Sequence, residues 1–192
     1  MTQRGFTLWF TGLTASGKTT VARLVAERLT EAGFKVEVLD GDEVRENLSN
    51  GLGFTKEDRD RNIRRIGYVC KLLSRNGVVA IGAAISPYRS IRDAIRKEIG
   101  DFVEVYVKCP LKICEERDYK KIYSRFRSGE IQHVAGLDDP YEEPLAPEVI
   151  LETHLHPADE CAAMVIKALE GLGYVEPRVV WGRESRRACK LR

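Results

Sequence analysis

The hydrophobic pattern of the chain alternates between short continuous apolar runs and longer stretches with helical spacing. Short runs, one of them too continuous to leave a solvent-facing side, predict strands at residues 6–10, 35–39, 78–85, 102–107 and 149–151. Apolar side chains three and four positions apart predict helices at residues 20–29, 43–48, 89–99, 110–116 and 159–172, and one between Thr55 and Asn76. Strands that alternate with helices are typical of an α/β fold with a mostly parallel sheet flanked by helices.

The segment from residue 117 to residue 147 departs from this pattern, because it is polar and has no sustained apolar period. A connection of this length inside a compact domain favours a mobile lid, and a merely solvated loop is the alternative. Residues 1–174 are predicted to form a single domain that includes this lid. The basic C-terminal tail, residues 175–192, is predicted to be poorly ordered, although docking to a partner would also fit its composition.

Composition argues against several classes of function. The formal net charge is +2, which gives no electrostatic reason to expect nucleic acid as the main partner. No apolar run approaches the length that spans a membrane, and the first residues lack the layout of a signal peptide. The five cysteines match no zinc-binding spacing. We therefore expect a cytoplasmic protein that binds neither nucleic acid nor membrane.

A phosphate-binding loop is the strongest chemical signal in the sequence. Residues 12–19 fit the pattern G-x-x-x-x-G-K-[ST], with a predicted strand before them and a predicted helix after them. Glycines let backbone N–H groups approach phosphate oxygens, Lys18 would reach the β- and γ-phosphates, and Thr19 would offer its hydroxyl to Mg²⁺. A glycine-rich turn that binds nothing is the alternative. The residues predicted to bind ATP are Gly12, Leu13, Thr14, Ala15, Ser16, Gly17, Lys18, Thr19 and Thr20.

Two carboxylates, Asp40 and Asp42, follow the second predicted strand. The carboxyl end of a strand is where open α/β sheets bind their ligands. One of the two could hold a water bound to Mg²⁺, and the other could accept the proton of an attacking hydroxyl. A β-turn that favours Asp and Gly for conformational reasons is the alternative, but the neighbouring phosphate loop favours function.

A basic cluster opens the helix that follows Thr55. A solvated basic face is the usual explanation of such a cluster, but Arg59 and Asn62 are three residues apart and share one helical face. An arginine fork with an amide beside it suits an anionic acceptor. Phe54, just before the helix, could stack on a base or could belong to the core.

Motifs beyond the phosphate loop resemble the adenylylsulfate kinase family. They occur in the family's order and are Trp-Phe-Thr-Gly-Leu at 9–13, Leu-Asp-Gly-Asp with Val-Arg at 39–45, Gly-Phe-x-x-Glu-Asp-Arg-x-x-Asn-Ile-Arg-Arg at 53–65, Ile-Ser-Pro-Tyr-Arg at 85–89, and Arg-Asp at 117–118 with Arg-x-Gly-Glu-Ile at 127–131 and Gly-Leu-Asp-Asp-Pro-Tyr-Glu at 136–142. The resemblance covers about residues 7–173, which is nearly the whole chain.

This resemblance implies a three-layer P-loop kinase fold and a reaction. ATP, with Mg²⁺, would phosphorylate the ribose 3′-hydroxyl of adenosine 5′-phosphosulfate (APS), a small-molecule substrate, and members are often homodimers. Asp42 matches the family's acidic residue beside the acceptor ribose and is the candidate base. Asp40 would support the water shell of the metal, so that Thr19 and Asp40 form the implied metal site. The implied catalytic residues are Lys18, Asp40, Asp42 and Ser86.

The resemblance also implies an acceptor site. Arg45, Arg59 and Asn62 match positions that grip the phosphosulfate substrate, and Phe54 matches an aromatic residue that stacks on its adenine. Ser86 matches a serine described in the family as a phosphorylated intermediate, although in-line transfer from ATP does not require one. The implied acceptor residues are Asp42, Arg45, Phe54, Arg59, Asn62, Ile85, Ser86, Lys120, His133 and Val134.

Two departures from the family pattern affect these expectations. Ala15 replaces a glycine of the loop, and the replacement matters only if that position needs a positive φ angle. Val134 replaces a lid phenylalanine, so one base–aromatic stack worth about 1–3 kcal/mol is expected to be lost. A lower affinity for the acceptor or a different acceptor would follow. The alternatives are a nucleotide-binding regulatory or weakly active homologue, and a P-loop kinase for another small hydroxyl compound.

Overall fold

The computed structural model describes residues 4–177 and contains one parallel five-stranded sheet. The strands lie in the order β2-β3-β1-β4-β5, and every neighbouring pair is parallel. Parallel pairing places the carboxyl ends of all the strands at one edge of the sheet. The strands are β1 (Thr7–Thr11), β2 (Val36–Asp40), β3 (Val79–Ala83), β4 (Phe102–Lys108) and β5 (Val149–Glu152).

Helices cover both faces of this sheet. They are α1 (Lys18–Glu31), α2 (Gly41–Asn47), α3 (Lys56–Ser74), α4 (Arg89–Ile99), α5 (Leu111–Arg117), α6 (Ile122–Arg127) and α7 (Ala158–Gly171). One core lies between the sheet and the pair α1 and α7, and a second core lies between the sheet and α3 with α4. These three layers confirm the predicted α/β fold.

The central strand β1 contributes to both cores because it is buried on both of its faces. Leu8 and Phe10 belong to the core beneath α1, whereas the intervening Trp9 belongs to the core beneath α3 and α4. Alternating side chains of a strand point to opposite faces of the sheet, which explains this division. The strand runs without interruption into residues 12–17, so its position sets the position of the phosphate loop.

The structure differs from the sequence prediction at three places. Strand β3 ends at Ala83 rather than residue 85, and Ser86 shortly after it has a φ angle of 42°, which lies outside the extended region. The lid segment contains helix α6, which is too short and too polar to give a periodic signal. Val175, assigned to the tail, is buried in the core beneath α1 and α7, where its neighbour Tyr174 contacts Phe6. The remainder of the tail, residues 178–192, lies outside the described residues.

None of the helices within residues 4–177 is long and apolar enough to cross a membrane.

Gly82 in β3 provides a test of how tightly the sheet packs near the site. A Cβ atom at this position would lie 2.6 Å from Cε3 and 2.7 Å from Cζ3 of the buried Trp9 ring. Because no ordinary contact is that short, Gly82→Ala must displace the ring, and we expect a loss of about 1–3 kcal/mol in the free energy of unfolding. Urea denaturation measures this loss.

The matched control is Gly171→Ala near the end of α7. A Cβ atom there meets nothing within 4 Å, so this variant should be as stable as the parent chain or more stable by up to about 1 kcal/mol. Equal unfolding free energies for the two variants would contradict the packing argument.

Candidate active site

A cleft of about 930 Å³ opens at the carboxyl edge of the sheet. The phosphate loop lies at its centre, α2 and α3 form one wall, and the lid segment forms another. Most of the residues predicted from the sequence line this cleft. They are Thr14, Ala15, Gly17, Lys18, Thr19, Thr20, Asp40, Asp42, Arg45, Phe54, Arg59, Asn62, Ile85, Ser86, Lys120, His133 and Val134.

The other three predicted residues, Gly12, Leu13 and Ser16, do not line the cleft and instead contact the protein on the opposite side of the loop. A Cβ atom on Gly12 would lie 2.4 Å from the carbonyl oxygen of Val107, so only glycine fits against β4 there. Ser16 is fully buried, and its carbonyl oxygen accepts a hydrogen bond from the Thr153 hydroxyl at 2.7 Å. Leu13 packs beside the cluster that joins the loop to the lid.

Ala15, which stands where the family has a glycine, adopts a backbone conformation that favours glycine. Its φ angle is 59°, in the left-handed region where a Cβ atom costs roughly 1–2 kcal/mol. The Ala15 methyl group packs in a buried cluster with Tyr123, Val134, Cys109 and Cys114. The position therefore does need a positive φ angle, and contacts with the lid segment offset part of the conformational cost.

Lys18 lies at the start of α1 with its side chain buried. Its ammonium group donates hydrogen bonds to the carbonyl oxygens of Gly12 at 3.0 Å and Leu13 at 2.7 Å. Burial penalises the charged form and lowers the pKa of Lys18 to about 8. A polyphosphate beside this group would favour the charged form again.

Thr19 and Asp40 come together across the first two strand–helix junctions. The Thr19 hydroxyl donates to Oδ2 of Asp40 at 2.7 Å, and Oδ1 of Asp40 accepts from the backbone N–H of Asp42 at 3.0 Å. The second bond caps helix α2, which explains why that helix begins at Gly41. Hydroxyl and carboxylate oxygens are hard ligands that suit Mg²⁺ with its water shell.

Asp42 and Lys120 form an ion pair across the mouth of the cleft. Asp42 is exposed in the first turn of α2, and Lys120 comes from the lid just before α6. Both predicted residues therefore meet at the cleft, where the carboxylate is accessible to a ligand and the ammonium group neutralises it.

Phe54 is half exposed in the cleft, which excludes the core role that its sequence context also allowed. The Arg45 guanidinium carbon lies 4.6 Å from the ring centroid, and that of Arg59 lies 5.6 Å away. Arg45 is held there by hydrogen bonds from Nη1 to the carbonyl oxygens of Leu52 at 3.1 Å and Gly53 at 2.8 Å. An aromatic face between two cations forms this end of the cleft.

Arg59 and Asn62 are buried on α3, whereas Arg61, Arg64 and Arg65 are exposed. Arg59 donates from Nε to the carbonyl oxygen of Phe54 at 2.9 Å and from Nη2 to the carbonyl oxygen of His133 in the lid. Burial lowers its pKa, and the nearby Asp139 works in the opposite direction. Asn62 Oδ1 is buried and has no hydrogen-bond partner among the described residues. A buried acceptor without a donor is a group that a ligand can satisfy.

Ser86 is almost fully buried, and its hydroxyl is already committed to the protein. Ser86 Oγ accepts from Nε1 of Trp9 at 3.0 Å and lies 3.0 Å from Oγ1 of Thr11, to which it donates. Thr11 in turn donates to the carbonyl oxygen of Ile85 at 2.7 Å. Side chains of β1 thus hold the backbone of residues 85 and 86 at the cleft wall.

His133 and Val134 belong to a lid loop that Asp138 organises. The Asp138 carboxylate accepts from the backbone N–H of His133 at 2.8 Å and of Val134 at 2.6 Å. The Val134 side chain is buried with Ala15 and Tyr123, so it joins the lid to the phosphate loop rather than presenting a broad surface opposite Phe54.

Comparison with known proteins agrees with this geometry. The family model for adenylylsulphate kinase matches residues 4–152. The chain belongs to this family. The adenylyl-sulfate kinase of Picosynechococcus sp. is 56% identical over 177 residues, which cover 92% of this chain and 100% of that protein.

Two solved structures of the family are also similar. The Mycobacterium tuberculosis APS kinase CysC in complex with AMPPNP and APS is 43% identical, with a TM-score of 0.83, and the match covers 88% of this chain and 99% of that one. A hexameric APS kinase from Thiobacillus denitrificans is 36% identical, with a TM-score of 0.70, over 91% of this chain and 30% of that one.

In this member of the adenylylsulphate kinase family, the end of the cleft beside Gly17 is lined by residues that the sequence did not predict as site residues. Arg117 donates from Nη2 to the carbonyl oxygen of Thr153 at 2.8 Å, and both residues line the cleft beside Gly17. His156 and Pro157 continue that wall. The position of Thr153 directly after β5 was the available signal, since strand ends form this edge of the sheet.

The lowered pKa of Lys18 predicts that nucleotide affinity in this family member depends on pH. Above about pH 8 the ammonium group of the free protein loses its proton, and binding a polyphosphate must then restore it. We expect the affinity for ADP to fall by up to about tenfold for each pH unit above 8. Isothermal titration calorimetry from about pH 7.5 to 9.5 measures this slope, with proton uptake read from buffers of different ionisation enthalpy.

The Lys18→Arg variant serves as the control, because a guanidinium remains charged throughout this range. Its affinity for ADP, even if weaker, should not change with pH. A flat profile for the parent chain would show that Lys18 is not the titrating group.

Proposed function

We propose that this chain transfers the γ-phosphoryl group of ATP to the ribose 3′-hydroxyl of APS, giving the 3′-phosphorylated product and ADP. The observation that carries this proposal is the continuity of the cleft, which joins a phosphate loop to an aromatic and cationic acceptor end. Membership of the adenylylsulphate kinase family supports the same reaction. An uncharged sugar would not need two guanidinium groups at the acceptor end.

The nucleotide half of the reaction uses residues 12–20. Backbone N–H groups of the loop and of the first turn of α1 bind the phosphates, and the Lys18 ammonium group neutralises charge on the β- and γ-phosphates. Thr19 and Asp40 would hold Mg²⁺, directly or through its waters, because their oxygens lie 2.7 Å apart beside the loop. Mg²⁺ when bound supplies charge neutralisation to the phosphate oxygens.

Asp42 is the proposed base for the acceptor hydroxyl. Its carboxylate is exposed in the cleft between the phosphate loop and the acceptor end, where it pairs with Lys120. Accepting the ribose proton at an Asp42 carboxylate oxygen leaves the 3′-oxygen free to attack phosphorus in line. Lys120, which lines the same cleft, would offer its ammonium group to the negative charge of the transferred phosphoryl group.

The acceptor half consists of the aromatic and cationic groups on α2, α3 and the loop between them. Phe54 offers an exposed ring on which adenine can stack, and Arg45 and Arg59 on either side attract the phosphosulfate anion. The unpaired Oδ1 of Asn62 can accept one hydrogen bond from the substrate. Ile85, His133 and Val134 complete the wall.

Residues 85–87, which line the acceptor end of the cleft, are called the acceptor wall. Ser86 is proposed to position this wall rather than to carry phosphate. Its hydroxyl is buried and bonded to Trp9 and Thr11, so phosphorylation would require these bonds to break. Direct in-line transfer needs only a hydroxyl that is already positioned on the substrate.

We also propose that the protein forms a homodimer in the cytoplasm and that one domain ends near residue 174. The described cysteines are free thiols, Cys70, Cys109, Cys114 and Cys161, which is consistent with a reducing compartment. Packing of Val175 into the core supports a domain that extends slightly beyond the predicted boundary.

Formation of ADP is the direct test of the proposed reaction. With Mg-ATP, the protein should release ADP only when APS is added, and the product should carry the new phosphate on the 3′-oxygen by ³¹P NMR. APS should also raise the thermal midpoint of the protein in the presence of ADP. Turnover with another small alcohol but not with APS would replace this function with that of a different kinase, and ligand binding without turnover would indicate a regulatory homologue.

The Asp42→Asn variant tests the proposed base. Without the carboxylate we expect kcat to fall by about 10²- to 10⁴-fold, because proton transfer in the transition state is lost. The affinity for ADP, measured by calorimetry, should change little because Asp42 does not belong to the phosphate loop.

Glu43→Gln is the matched control for this variant. Glu43 is the next residue of α2, is exposed, and does not line the cleft. Its loss should leave kcat unchanged, whereas equal activity of the Asp42 variant and the parent chain would remove Asp42 as the base.

A further inference from the structure

A fully buried arginine, Arg92 on α4, lies behind the acceptor wall without lining the cleft. Its Nε donates to Oε1 of Glu104 on β4 at 2.8 Å, and both side chains are buried. Removing an arginine and a glutamate from water is costly, so a buried pair of this kind is weak evidence of a gain in stability. The contacts that Arg92 makes toward the cleft indicate a role in the site rather than in stability.

The two remaining nitrogens of Arg92 hold two separate segments of the site. Nη1 donates to the carbonyl oxygen of Ser86 at 2.5 Å, and Nη2 donates to the carbonyl oxygen of Glu142 at 2.6 Å. Ser86 belongs to the acceptor wall, and Glu142 lies near the C-terminal end of the lid segment. One rigid guanidinium therefore joins the acceptor wall to the C-terminal end of the lid segment at Glu142, called here the root of the lid.

The same two segments are also joined directly. The backbone N–H of Glu142 donates to the carbonyl oxygen of Pro87 at 2.8 Å, and its carboxylate accepts from the backbone N–H of Arg89 at 2.7 Å. Residues 86–89 and the end of the lid thus form one hydrogen-bonded unit, with Arg92 at its buried side.

Ser86 needs such support because its backbone conformation is unfavourable. A φ angle of 42° is uncommon for a residue with a Cβ atom and persists only where surrounding contacts determine it. Trp9 and Thr11 hold the side chain of Ser86, but Arg92 is the side chain that holds its carbonyl oxygen. Without that bond, the carbonyl oxygen of Ser86 would lose its side-chain donor at the acceptor wall.

Arg96, one helical turn further along α4, provides an internal comparison. It also pairs with Glu104, at 3.2 Å, but its other hydrogen bonds go to the carboxylate of Glu148, at 2.6 and 2.9 Å, and its guanidinium lies over the Phe102 ring. Arg96 therefore shares the ion-pair network of Arg92 without touching Ser86 or the lid.

We propose that Arg92 is a positioning residue for the phosphate acceptor. It fixes the Ser86 carbonyl and the root of the lid in one arrangement, so that the acceptor wall is preformed for the substrate. This inference rests on the proposed kinase activity toward APS, because it assigns the residue to the acceptor half of that site and not to the nucleotide half.

The test compares Arg92→Lys with the parent chain. A lysine ammonium group can still pair with Glu104, but it cannot donate to Glu104 and both carbonyl oxygens in the fixed fork that a guanidinium provides. We expect the KM for APS to rise by about tenfold or more, the range expected when a charged hydrogen bond is lost, with the KM for ATP nearly unchanged. Calorimetric titration of APS in the presence of ADP should show the same loss without depending on turnover.

Arg96→Lys and Arg96→Met are the matched controls. Both should lower the thermal midpoint, because they weaken the pairs with Glu104 and Glu148, and both should leave the KM for APS unchanged. Arg92→Met removes all the hydrogen bonds of Arg92 and is measured as well if that variant folds. If it does not fold, Arg92→Lys alone still decides the test.

Three outcomes separate this inference from the activity on which it rests. An unchanged KM for APS in Arg92→Lys, or an equal rise in the Arg96 variants, would overturn the positioning role and leave a purely structural ion pair. Equal rises in the KM values for APS and ATP would overturn it as well, since the effect would not be confined to the acceptor. A parent chain that forms no APS-dependent ADP would instead contradict the proposed function itself.

Discussion

The parallel pairing of β1 with β3 on one side and β4 on the other is the interaction on which the site depends. Because β1 is central, its last residue leads directly into the phosphate loop while Thr11 and Trp9 reach the wall formed after β3. A shift of β1 by one residue would exchange its two buried faces and turn Trp9 toward α1. The backbone pairing of β1 therefore fixes the phosphate loop relative to the wall after β3, and the side chains of Trp9 and Thr11 add contacts between the two.

The sequence was most informative where chemistry and periodicity coincided. The spacing of Arg59 and Asn62 indicated a shared face, and the structure buries those two residues while exposing their basic neighbours. The phosphate loop was predictable because glycine, lysine and threonine each have a distinct task at fixed spacing. In contrast, the burial of Arg92 depends on Glu104 from a strand that follows it in the chain, and no local pattern records such a pair.

Backbone conformation was the least predictable part of the site. The sequence could state what a positive φ angle at residue 15 would mean, but the angle itself follows from how the loop closes between β1 and α1. The same applies to Ser86, whose φ angle of 42° has no counterpart in the local sequence pattern. Strand β3 also ends two residues before the apolar run does. Helix α6 escaped prediction because its six residues make fewer than two turns, and its burial depends on contacts from Tyr123 to the phosphate loop.

Those contacts between lid and loop have a thermodynamic consequence. The Tyr123 hydroxyl donates to the carbonyl oxygen of Thr14 at 3.0 Å, and Ala15 and Val134 pack in the same buried cluster. The lid segment is thus attached to the phosphate loop, and a ligand that moved one of them would change the free energy of the other. Such coupling is reciprocal: the factor by which one bound substrate would change the binding constant of the other is the same in both directions.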